Sequence, residues 1–318
     1  MGVENRSLAR RLMAFITAAC ALGSLAVTHV AHAAEPVIGD DGCAVVDTAK
    51  DKDFFKTSSN GTGTVVTGFA DALKAQHYQC YDLNISADVT EIGHSAFESE
   101  PIHKLTFSDE GDVSLHLRDF SFAGVTGGLE EVIFPARFRS CEQESITSRC
   151  DALQFSGIST LKRMKFSPQS DITVLGKLFE NFAYLRSVEL TQLVLPPKLE
   201  IWSPGAFGVK AGGIEWPNNS NSLSIIDPMF EGVLKYEGDL AFPDNLTNIS
   251  FSSGLFSEDS RFDSISFPRK MDKLAIDKQS LPLSCDSAAV VTLPASVNTL
   301  IVEKGGFCCF RGLGCWCW

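Results

Sequence analysis

Four histidines lie beyond the N-terminal segment, His77, His94, His103 and His116, and no two are four residues apart or part of a His-Glu-x-x-His phrase. The spacing of a helical metal pair is therefore missing. His94 falls in a turn before a recurrent phenylalanine, where a solvated side chain is expected. Gly61-Thr62-Gly63 lacks the third glycine and the strand-to-helix setting of a dinucleotide loop, and no Walker loop is present. The carboxylate pairs Asp40-Asp41 and Glu130-Glu131 are chain neighbours. In a strand, neighbours point to opposite faces, so neither pair builds a shared acid/base site. Cys308, Cys309, Cys315 and Cys317 crowd the C-terminal end without paired Cys-x-x-Cys spacing or a histidine partner, which argues against a zinc site. The sequence thus offers no catalytic residue, no metal site and no cofactor site, and the expectation is a protein that is not an enzyme.

What repeats instead is structural. Phe134-Pro135, Trp216-Pro217, Phe242-Pro243, Phe267-Pro268 and Leu293-Pro294 each close a short apolar alternation, and the last four prolines are spaced 26, 25 and 26 residues apart. That period belongs to a solenoid, whose units are too small to bury an apolar face alone and must stack. In Phe262-x-x-Ile265-x-Phe267-Pro268, Ile265 and Phe267 share one face of a strand while Ser266 points outward. The proline that follows has no N–H for a ladder and ends the strand at the same place in each coil. Gly93, Gly124, Gly205, Gly232 and Gly254 recur beside the phenylalanine of each coil, where a sharp turn is expected.

The coils can be followed in phase from Leu83 to Val302, with an insertion at 137–150 that breaks the period. The phrases Val89-Thr-Glu-Ile92-Gly-His-Ser-Ala96-Phe97 and Leu129-Glu-Glu-Val132-Ile-Phe134-Pro135 resemble the leucine-rich repeats of the BspA type, whose pattern is V-x-x-I-G-x-x-A-F followed by L-x-x-I-x-I-P. The chain departs from that pattern in carrying phenylalanine before the proline and in lacking the Ala-Phe pair in several coils. The expected fold is mostly β, a leucine-rich-repeat solenoid with one short parallel strand per coil, an N-terminal cap and an irregular C-terminal tail. The resemblance further implies an exported or surface-exposed protein of a family implicated in adhesion.

Composition and targeting signals agree with export. Arg6, Arg10 and Arg11 precede an apolar run from Leu12 to Val30, and Ala31-His32-Ala33 fits a cleavage site, so residues 1–33 read as a signal peptide. No later run is long and apolar enough to span a bilayer, so no membrane span is expected after cleavage. The whole chain has 27 basic and 39 acidic residues, net −12, and becomes more acidic once the three leader arginines are gone. Such a charge excludes a nucleic-acid partner. Cys43 with Cys80, and Cys141 with Cys150, are the candidate disulfides of an oxidising compartment. Asn60, Asn84, Asn218, Asn245 and Asn248 each begin an Asn-x-Ser/Thr sequon.

The domain reading is a signal peptide at 1–33, a cap region at 34–80, the solenoid at 81–304 and a Cys/Trp-rich tail at 305–318. The function expected is adhesion or protein binding at the cell surface, with an extracellular protein or surface glycan as partner and no oligomeric state fixed. Its contact row is Lys104, Thr106, Glu131, Glu189, Glu215, Ser250 and Ser266, outward positions between apolar ones. The rival expectation is a degenerate or truncated repeat protein without binding activity, suggested by a last coil that begins at Val297 and is never completed.

Overall fold

A computed structural model describes residues 35–110, 114–139, 154–175, 189–203, 207–210, 212–226, 234–256, 260–284, 289–311 and 314–317. The leader, Cys141 and Cys150, and most of the 137–150 insertion lie outside the described residues. From Pro36 onward the chain is one compact unit. It is a parallel β-solenoid of about 7 turns.

The strands that lead into Pro135, Pro168, Pro196 and Pro217 stack in parallel, in line with strands of earlier coils that no proline follows. An eight-stranded long sheet runs Val37–Ile38, Ala44–Asp47, Tyr81–Ile85, Ile102–Phe107, Glu131–Phe134, Arg163–Phe166, Gln192–Val194 and Ile214–Glu215, and all pairs are parallel except the first. The later pre-proline strands, Leu234–Ala241, Arg261–Ser266 and Val290–Thr292, continue the stack in a distal sheet. Inward residues of these strands are buried and outward ones half-exposed, the period of two that the sequence carries.

Each coil also contributes strand on another side. The Val-x-x-Ile segment Val89–Ile92 pairs in parallel with Thr64–Phe69 and with Leu115–Leu117 in a first flanking sheet. Ile201–Trp202, Ser222–Ile225, Asn248–Phe251, Lys270–Ile276 and Ser296–Val302 follow one another in a second flanking sheet. These segments are β-branched and aliphatic, and with a neighbouring coil on each side the same backbone groups find ladder partners. The Ala-Phe turns stack too: Phe97 N donates to Ser121 O at 2.8 Å and Phe122 N to Gln154 O at 2.9 Å.

Phenylalanine at repeated positions stacks from coil to coil in the interior. Phe97, Phe122 and Phe155 stack with centroids 5.4 and 5.3 Å apart, and Phe107, Phe134 and Phe166 with 6.1 and 4.7 Å. Further along, Phe242 lies over Phe267 at 5.5 Å. One coil is bound to the next by side chains as well, as where Asn245 Nδ2 donates to Pro217 O and Ser220 O, both at 2.8 Å.

Of the turn glycines, Gly124 and Gly254 take left-handed φ of 59° and 66° and so need the missing Cβ, whereas Gly93 is not among the positive-φ glycines. Gly205 and Gly232 lie outside the described residues. Gly127, unremarked in the sequence, matters for space: a Cβ there would stand 2.3 Å from the Pro101 carbonyl carbon of the preceding coil.

The N-terminal end is covered. Strand Phe55–Ser59 pairs antiparallel with Thr64–Phe69, the short helix Asp71–Lys74 buries Leu73, and Phe54, Phe55 and Phe69 lie inside. Cys43 and Cys80 form a disulfide. Ala44–Asp47 already pairs in parallel with Tyr81–Ile85, so the region that closes the end also supplies strand to the stack. In the tail, Phe307–Arg311 pairs in parallel with Leu281–Ser284 and antiparallel with Gly314–Cys317.

Candidate functional site

The outward side of the long sheet concentrates charged side chains on adjacent strands. Parallel in-register pairing places Asp82, Lys104, Glu131, Arg163 and Gln192 one beside the next across five strands. A second row runs Asp47, Asn84, Thr106, Ile133, Lys165 and Val194. The first row alternates in sign, and its members are tied together. Lys104 Nζ lies 3.3 Å from Asp82 Oδ2, Glu131 lies 3.2 Å from Arg163 Nε and 2.9 Å from Lys165 Nζ, and Gln192 Nε2 donates to Glu215 Oε1 at 2.9 Å. The cations Lys104, Arg163 and Lys165 are thus interleaved with the carboxylates Asp82 and Glu131 rather than segregated from them. Opposite charges at neighbouring sheet positions stabilise the pairing and fix each side chain's direction.

At the N-terminal side of this row the loop before Ala44 brings in Asp41, which pairs with Lys104. His103 Nδ1 lies 3.2 Å from Asp82 Oδ1 and 3.5 Å from Asp41 Oδ2, and its Nε2 is 4.0 Å from Glu130 Oε2. The Lys104 ammonium, helped by the Cys43 backbone N–H, holds the Asp41 carboxyl down at about 2. Lys104 is in turn raised by its bond to Asp41, against a smaller opposing effect of desolvation. For Glu131, partial burial alone would raise the pKa, but hydrogen bonds from Lys165 and Arg163 outweigh it and the group sits below its ordinary value.

The ligand-type atoms of Asp41, Cys43, Asp82 and His103 all lie within 4.8 Å of one another. That geometry does not make a metal centre: Cys43 Sγ is consumed by its bond to Cys80, and the Lys104 ammonium already engages both carboxylates. The cluster is an ion-pair knot that fastens the N-terminal loop to the sheet.

The predicted contact row is not one row. Lys104 and Thr106 share one strand of the long sheet, Glu131 stands on the next, and Glu215 lies at the sheet's far edge. Glu189 and Ser266 belong to the distal sheet, where Glu189 lies 3.3 Å from Lys235 and 3.5 Å from Lys210. Ser250 is on the second flanking sheet, bonded through its hydroxyl to Ser224 at 2.8 Å. The pre-proline alternation and the Val-x-x-Ile alternation look alike in sequence, and only the pairing shows that they line different sides. Asp82, Arg163, Lys165 and Gln192 were missed as members of the face. Each occupies an outward slot of a long-sheet strand, so applying the period of two to every coil finds them. His94 is exposed, with its ring 5.7 Å from that of Phe120. Among the described residues no helix is long and apolar enough to cross a membrane.

Residues 75–210 match, in six copies, the family described as BspA type leucine rich repeat region. No curated protein and no solved structure matches the chain.

Proposed function

Because residues 75–210 are a BspA-type leucine-rich-repeat array, we propose that this chain is an exported, non-catalytic protein that binds an extracellular protein through the outward face of the long sheet. The observation that carries the reading is the sign-alternating row Asp82–Lys104–Glu131–Arg163, held in register by backbone pairing rather than by a flexible loop. A rigid row of alternating charge gives specificity and orientation, since a partner must present the complementary order, and it repels surfaces of a single sign. Export is supported by the leader pattern and by the Cys43–Cys80 bond, which suits an oxidising compartment.

The test is an array of purified extracellular-matrix and cell-surface proteins probed with the chain lacking residues 1–33, and with Arg163→Glu and Lys104→Glu in parallel. A partner whose affinity falls on the order of tenfold or more with either reversal is the expected result. Partners bound equally well by all three proteins would place the contact on another side. The absence of any bound partner would leave the degenerate-repeat alternative in its place.

A further inference from the structure

The two ends of the solenoid are treated differently. At the N-terminal end the interior is closed by Phe54, Phe55 and Leu73, and the outermost strand Phe55–Ser59 is polar, with Lys56 paired to Asp71 at 2.7 Å. At the other end the last coil shows its interior. Leu300 and Val302 are 49% and 43% exposed, whereas Leu274 and Ile276, their register partners one coil earlier, are each 0% exposed. Leu293 is 51% exposed where Phe267, before the previous proline, is 5%. Among the described residues Ser296–Val302 is the edge strand of the second flanking sheet, seven residues with one neighbour and one row of backbone groups that no described strand pairs. The Phe307–Arg311 and Gly314–Cys317 hairpin pairs with Leu281–Ser284 and not with that edge. Long, flat, apolar edges of this kind are templates for pairing with another strand.

We propose that the edge strand Ser296–Val302 pairs antiparallel with the same strand of a second copy, joining two molecules tail to tail through a two-fold axis at Thr299. Self-pairing is favoured over other occupants by the charge pattern. In a chain of net −12, the strand Ser-Val-Asn-Thr-Leu-Ile-Val carries no charge at all, so two copies meet there without like-charge repulsion. Centred on Thr299, the pairing sets Leu300 opposite Asn298, Ile301 opposite Val297 and Val302 opposite Ser296, and the first charge beyond, Glu303, falls opposite Ala295. The edge strands at the N-terminal end are a poor match for it, Val37–Ile38 being two residues long and Phe55–Ser59 carrying Lys56, Thr57, Ser58 and Ser59 on its exposed part, so assembly is expected to stop at two instead of growing head to tail. This contact is on the end of the solenoid and does not depend on which lateral face binds a partner.

Sedimentation equilibrium of the chain from Ala34, at micromolar concentration and on dilution, reads the assembly. Thr299 is exposed and faces outward, so Thr299→Lys and Thr299→Glu keep the fold, checked by circular dichroism, while placing like charges face to face at the axis. The wild type is expected to be a dimer that dissociates on dilution, and each single variant to self-associate more weakly on the order of tenfold. Mixing the two variants is expected to restore the dimer, because Lys then meets Glu. A wild type that stays monomeric, an open-ended polymer, a dimer unaffected in both variants, or a mixture that stays monomeric would each overturn the proposal.

Discussion

Truncating Phe134 to alanine tests whether the coils share one interior. The ring is 0% exposed and lies 6.1 Å from Phe107, 5.0 Å from Phe138, 5.8 Å from Phe155 and 4.7 Å from Phe166, so its neighbours come from other coils as well as from its own. Removing a buried phenylalanine costs about 3–5 kcal/mol in transfer and cavity energy. Each aromatic pair lost adds roughly 0.5–1.5 kcal/mol beyond area. The surrounding backbone is fixed by ladders on both sides and has little room to collapse into the hole, which favours the upper end, about 5 kcal/mol. For a chain of this size that lowers Tm by on the order of 10–20 °C. Phe134→Leu retains most of the volume and is expected to cost about 1–2 kcal/mol. Urea unfolding followed by far-ultraviolet circular dichroism, with both variants beside the wild type, makes the measurement. A loss below about 1 kcal/mol for Phe134→Ala would refute the idea that this ring is a link in a spine common to successive coils.

Other expectations follow from single contacts. Leu274→Ala should cost about 2–5 kcal/mol, whereas Leu300→Ala, in register with it but uncovered, should cost under about 1 kcal/mol in dilute monomer, measured by the same urea titration. Replacing Cys43 and Cys80 by serine opens a link between residues 37 apart and should lower stability by about 4 kcal/mol in the chain-entropy account, read as a fall in the urea midpoint. Asp41 has a depressed folded-state pKa, so its contribution is present above the unfolded value of 3.8 and disappears as pH falls toward about 2. Asp41→Asn should flatten that part of the acid-unfolding curve, and an unchanged curve would show that the Lys104 contact contributes nothing. Asn245→Ala leaves the Pro217 and Ser220 carbonyls without their donor and should cost about 1–3 kcal/mol.

The sequence alone determined the solenoid, because a spacing near 26 residues with apolar positions two apart leaves stacking as the only way to bury them. It also determined that Phe134, Phe166, Phe242 and Phe267 lie inside, and it offered Cys43 and Cys80 as a candidate pair that the structure joins. The grouping of outward residues into faces was beyond it. Two alternations of the same period recur in every coil, and nothing local tells which side of the coil each one lines; that is settled by hydrogen bonds to strands one coil away. Hence Lys104 and Glu131 were rightly placed together, while Ser250 was set beside them and lies on another sheet. The alternating sign of Asp82, Lys104, Glu131 and Arg163 became visible only with the register, since these residues are 22, 27 and 32 positions apart in the chain and adjacent only across the ladder. The unequal burial of equivalent residues is likewise a tertiary fact: Leu300 and Leu274 occupy the same place in the repeat, and Leu274 is buried with the strand of the next coil paired beside it, while Leu300 is 49% exposed.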